Sequence, residues 1–133
     1  MEEQNINLEK VFNHWIEKSD QDYKTMIVLF NTKDYHWALF MGHLVIELLL
    51  KAKIVKVTGK HAPFLHDLRR LAKISEIDFS DEQKKVLDTI TSFNLNARYD
   101  DYKQEFYKKC TFEYTDYWIN KIKEMRLWIK TKL

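Results

Sequence analysis

The sequence predicts an all-α protein, an up-and-down bundle of four long helices with one additional short helix. Three observations lead there. Only two glycines and one proline occur in 133 residues, too few for the turns an antiparallel sheet needs. Apolar residues recur at steps of three and four along most of the chain. Aromatic residues make up 14% of it, including four tryptophans, which is ample apolar area to order a chain that is 32% charged. At this length residues 1–133 are expected to form one domain with a core that needs no covalent staple.

Asn7 can cap a first helix from about Leu8 to Phe30, with Leu8, Phe12, Trp15, Tyr23, Met26 or Ile27, and Phe30 in its core row and the small Ser19 among them. The segment Asn31-Thr32-Lys33-Asp34 is a short connection rich in capping side chains, so the next helix runs antiparallel. That second helix, Tyr35–Val57, is apolar around nearly its whole circumference. Its one narrow polar stripe is His36, His43, Glu47 and Lys51. A helix of this kind belongs at the centre of a bundle, where it can also line a subunit contact. Gly59 and Pro63 end it.

Residues 58–65, TGKHAPFL, read as irregular, and a short helix is expected over His66–Ser75 with Asp67 in its first turn and Leu68, Leu71 and Ala72 turned inward. Ser80 followed by Gln83 has the spacing of a capping box and opens a helix to about Arg98. Its core row is Val86, Ile90, Phe93 and Ala97, flanked by a polar row of Thr91, Asn94 and Arg98. The next stretch, RYDDYKQEFYKKCT, mixes charge with aromatic residues and reads as a loop with a loose helical turn. Thr111 or Thr115 starts the last helix, with Trp118, Ile122, Met125 and Ile129 at core spacing.

The net charge of +2 is the small difference between 22 basic and 20 acidic residues, which is not the excess of a dedicated nucleic-acid binder. Lys51, Lys53, Lys56 and Lys60, and the lysines of residues 121–132, form two local excesses. They read as solvated helix ends, where cations suit the negative end of the dipole, with a phosphate-binding surface as the alternative. Cys110 is alone, which leaves no disulfide framework and no cysteine-based zinc site. The beginning, MEEQNINLEK, lacks the pattern of a signal peptide. The apolar run in helix two is shorter than the roughly 20 residues of a membrane span and carries Glu47. A cytoplasmic protein with no membrane segment is the expectation.

Glu47 is the most informative residue. A carboxylate among Ile46, Leu48 and Leu49 must be paired or hold its proton more tightly, and His43 and Lys51 stand one turn away on either side. It is either a structural ion pair that fixes helix register or the wall of a ligand or subunit pocket. If the row of Thr91, Asn94 and Arg98 faces this stripe, Arg98 pairs with Glu47, and an arginine so placed can grip a phosphate. The histidines form no tight cluster, so no metal site and no cofactor are expected. His66-Asp67 is more simply a helix-start device than a catalytic dyad. Phosphate loops, nucleophile elbows and HExxH motifs are missing from the sequence.

Trp15, the run Glu47-x-x-x-Lys51-Ala52, the run Pro63-x-x-His66-Asp67-Leu68, and Asn94-x-x-x-Arg98-Tyr99 occur in an order and spacing that resembles the HEPN domain, a helical module of higher eukaryotes and prokaryotes first proposed to bind nucleotides. The resemblance covers about residues 10–130. It implies a helical bundle that is commonly a homodimer, and a module that in prokaryotes often acts with a small nucleotidyltransferase in toxin–antitoxin-like pairs. Many members are metal-independent endoribonucleases that use an arginine separated from a following histidine by four to six residues. Arg98 matches the arginine, but Lys103, Gln104 and Glu105 follow it and no histidine comes after it. Without that acid/base group the resemblance implies a non-catalytic homodimer that binds a nucleotide or nucleic-acid phosphate through His43, Glu47, Lys51, His66, Asp67, Arg98 and Tyr99. The alternatives are a protein-interaction subunit that pairs with a nucleotidyltransferase, and a divergent ribonuclease whose base is another residue such as His66.

Overall fold

The structure, a computed structural model, describes residues 7–133. Among these, six helices follow one another: α1 (Leu8–Asn31), α2 (Tyr35–Thr58), α3 (Leu68–Ser75), α4 (Asp81–Arg98), α5 (Asp100–Lys109) and α6 (Phe112–Lys130). Among the described residues there is no strand, and no helix is long and apolar enough to cross a membrane.

α2 is the hub. It packs against α1, α3, α4, α5 and α6, and so its all-round apolar surface finds a neighbour on every side. Leu39, Val45, Ile46, Leu49, Leu50 and Val55 are fully buried there. Gly42 has a packing reason: a Cβ at this position would run into Ile122 of α6 and press on Met26 of α1, so the missing side chain is what lets three helices close together. α1 lies along α2 and is tied to it in the core, where the Ser19 hydroxyl donates to the Val45 carbonyl at 2.8 Å.

The helix ends follow local chemistry. The Asn7 side chain caps α1 by accepting from Lys10 N–H, and Ser80 with Gln83 closes both halves of a capping box on α4. α2 ends on Gly59 in the left-handed conformation (φ 69°), which glycine adopts without steric cost. Asp67 is the N-cap of α3, accepting from the amides of Arg69 and Arg70, so that helix begins at Leu68 rather than at His66. Thr111, not Thr115, caps α6, while Thr115 is buried.

Two expectations fail. Leu8 does not join the core and is exposed at the start of α1. Most of the stretch read as a loop, residues 100–109, is helix. Charged side chains outnumber apolar ones in it and hide the amphipathic signal, yet one face is anchored: Phe106 is buried against Phe93 of α4 with ring centroids 5.6 Å apart, and Cys110 is buried at its end. Burial pushes the Cys110 thiol up to about 12, so it is an inert packing residue.

Candidate functional site

Three elements meet over the middle of α2: the connection after Gly59, the start of α3, and the second half of α4. His43 is the buried pivot, with no surface exposed. Its Nε2 donates to the His66 carbonyl at 2.9 Å, which makes the other nitrogen an acceptor in the neutral ring. Asn94 Nδ2 donates to that Nδ1 at 3.3 Å. One imidazole therefore ties the loop and α4 to α2, and its tautomer is set by the pair of bonds. Burial lowers the proton affinity of His43 and outweighs the His66 carbonyl and the Glu47 charge, which favour protonation. His43 is held neutral.

One turn further along, Glu47 divides its two oxygens between neighbours. His66 Nδ1–H donates to Oε1 at 3.0 Å, and Lys51 Nζ forms an ion pair with Oε2 at 3.0 Å. Glu47 and Lys51 are both buried, whereas the His66 side chain is 47% exposed. With Nδ1 engaged inward, the ring turns its other nitrogen away from the carboxylate. Lys51 Nζ also lies between two aromatic faces, 6.0 Å from the Trp15 ring and 5.9 Å from the Phe64 ring. Phe64 is 95% exposed and stands 6.2 Å, ring to ring, from His66.

The Arg98–Glu47 pair expected from the sequence does not form. Both Glu47 oxygens already have close donors, and Arg98 turns its Nε back to the Asn94 carbonyl at 3.2 Å. Its guanidinium carbon stands 5.3 Å from the Tyr99 ring, and both residues are exposed. Arg98 still belongs to the same neighbourhood, since its charge further lowers the proton affinity of His43. The polar row of α4 does face the stripe as expected. Thr91 Oγ1 accepts from Leu68 N–H at 3.0 Å and so locks the start of α3, and Asn94 reaches His43.

Of the seven residues singled out from the sequence, His43, Glu47, Lys51 and His66 form one connected cluster. Arg98 joins it through Asn94, Tyr99 flanks Arg98, and Asp67 is set apart as a helix cap. His43 contacts Glu47 only at 3.7 Å, too far for a hydrogen bond. Asn94, although part of the polar row and of the family motif, and Phe64 were not among the expected binding residues. The signal for Asn94 was its place one turn before Arg98 in the same row. Phe64 had no signal beyond its neighbour Pro63. Among the described residues no group of three or more histidine, cysteine, aspartate or glutamate side chains converges as metal ligands would.

The sequence matches the HEPN domain family over residues 12–132. The chain belongs to the HEPN domain family. Its fold is similar to that in the crystal structure of TT1696 from Thermus thermophilus, with a TM-score of 0.78 at 15% sequence identity, covering 92% of this chain and 98% of that one. At that identity the likeness speaks for the fold alone. No curated protein sequence matches this HEPN chain. The expectation of a HEPN-like all-α bundle is therefore met by both the family and the fold.

Proposed function

We propose that this HEPN chain is a binding module that holds a phosphate group of a nucleotide or nucleic acid at the exposed edge of the Glu47 cluster, between Arg98 and His66, and works as a homodimer. The observation that carries this reading is the way Arg98 is held. Its Nε is tied to the Asn94 carbonyl, which presents the guanidinium at the surface, and no carboxylate among the described side chains pairs with it. Arginine fixed in this way is suited to bidentate phosphate contact. His66 adds a second polar group on the loop side, and the exposed rings of Phe64 and Tyr99 can stack on a base. Lys51 is committed to Glu47 and acts as support, keeping the buried carboxylate in place. The exposed Leu95, Tyr99 and Tyr102 beside Arg98 supply apolar area for a second copy.

A thermal-shift series with nucleoside mono-, di- and triphosphates and a short single-stranded RNA tests the proposal. Stabilisation that disappears in Arg98→Ala is the expected result. No stabilisation by any of them at millimolar concentration rules the reading out. Light scattering tests the homodimer.

A second reading rests on the bond from His66 to Glu47. A carboxylate that holds one imidazole nitrogen and leaves the other facing solvent is the arrangement of a general base. A divergent ribonuclease using His66 would cleave mixed RNA, and the cleavage would vanish in both His66→Ala and Arg98→Ala. Intact RNA after prolonged incubation eliminates it.

A further inference from the structure

We propose that the hollow between the first turn of α2 and the Lys103–Lys108 stretch of α5 is a second, separate binding site, one that takes a small phosphorylated molecule. The hollow encloses about 610 Å³ and is lined by His36, Lys103, Gln104, Tyr107 and Lys108. That volume is in the range of small-ligand sites. Every one of these five side chains can donate a hydrogen bond, two carry full positive charge, and none is acidic. The lining therefore favours an anion.

Three further observations make it more than a basic surface. His36 Nδ1 is buried and has no hydrogen-bond partner among the described residues. The His36 ring is held edge-on to Tyr107 at 5.3 Å and against Trp37 at 5.1 Å, so its orientation is fixed. Lys103 is also placed, with Nζ 5.4 Å from the Trp37 ring. In addition, Asp34 does not cap α2. Its carboxylate accepts from the Thr32 hydroxyl at 2.6 Å instead, which leaves the positive end of α2 without a side-chain partner next to His36.

Among the described residues, the charged groups facing His36 are Lys103 and Lys108 from α5 and Asp34 before α2. Burial and the Lys103 charge lower its proton affinity, while Asp34 opposes them weakly. A phosphate monoester in the hollow would reverse that balance, since a dianion next to the ring favours imidazolium. His36 is thus both part of the site and its reporter. The Arg98 site is not needed for this binding.

The test is the pH titration of the His36 ring by NMR, assigned with His36→Gln, with and without ribose 5-phosphate at constant ionic strength. Saturating ribose 5-phosphate is expected to move the His36 midpoint upward in the wild type and in Arg98→Ala alike. In the double variant Lys103→Met/Lys108→Met, whose fold is checked by circular dichroism, affinity should fall by at least about tenfold. Four outcomes overturn the proposal: an unmoved His36 midpoint, an equal shift with chloride alone, undiminished affinity in the double variant, or loss of the response in Arg98→Ala. The last would place the anion at the Arg98 site instead.

Discussion

His66 donates from Nδ1 to Glu47 Oε1 at 3.0 Å, joining a half-exposed ring on a loop to a buried carboxylate in the central helix. The bond runs from the surface into the core, and Lys51 closes it from the other side at 3.0 Å. A buried carboxylate with two donors is stable where it is. The same carboxylate with one donor removed is not, and the converse holds for a buried lysine without its carboxylate.

Glu47→Ala should therefore be costly. It leaves Lys51 charged and buried without a partner, and the expected loss is about 3–5 kcal/mol. Chemical denaturation measures it. Glu47→Gln, which keeps the shape and can still accept from His66, should lose less than Glu47→Ala. The double variant Glu47→Leu/Lys51→Met should recover much of the loss, because a well-packed apolar pair can replace a buried ion pair.

His43 predicts a pH dependence. Its folded proton affinity lies below that of the unfolded ring, so the unfolded chain takes up more protons as acid is added. The stability supplied by keeping His43 neutral is present above the unfolded imidazole range and is lost as pH falls through it. His36 acts in the same direction. Urea midpoints recorded from neutral pH down to about pH 5 should fall, starting near the ordinary histidine value of about 6.5.

Asp22 in α1 is shifted the opposite way from a paired carboxylate. Burial raises its pKa, Lys18 at 3.9 Å opposes this only in part, and one carboxylate oxygen is buried without a hydrogen-bond partner among the described residues. An acid with a raised folded pKa stabilises the fold below its unfolded value and loses that contribution as pH rises through the folded one. At neutral pH Asp22 is then a burden. Asp22→Asn should raise the melting temperature there by a few degrees, a gain of roughly 1 kcal/mol, and the gain should shrink as the pH approaches about 4. Calorimetry at two pH values decides it.

α5 should depend on a single anchor. Among the described side chains of that helix, Phe106 is the one buried against α4. Phe106→Ala should cost about 3–5 kcal/mol and loosen residues 100–109 first. Hydrogen exchange would show amides of this helix losing protection while those of α2 keep theirs. A uniform loss across the whole bundle would contradict the picture.

Most of the bundle was legible because α1, α2, α4 and α6 carry long apolar rows, and most of their ends carry local stop or start signals. Asn7, Ser80 with Gln83, and Gly59 mark helix ends through chemistry local to a few residues. α5 was not legible because its helical character depends on Phe106 meeting Phe93, a contact that local sequence does not announce. The same division runs through the candidate site. Glu47 and Lys51 lie on one helix, one turn apart, and their pairing could be read from spacing. Arg98 could be placed on the right face of α4 but not paired, because the loop brings His66 to Glu47 and satisfies the carboxylate first. A residue delivered by a loop is where spacing arguments end.

The two bonds that hold the loop at His66 differ in kind. His43 grips the main-chain carbonyl, which any residue at that position would offer, while Glu47 reads the side chain. Position and identity are thus secured separately. A lineage can exchange the histidine for another residue and keep the loop tethered through its carbonyl, but the buried Glu47 then loses one of its two partners. Variation at position 66 should accordingly be inherited together with changes at position 47, and be indifferent to position 43.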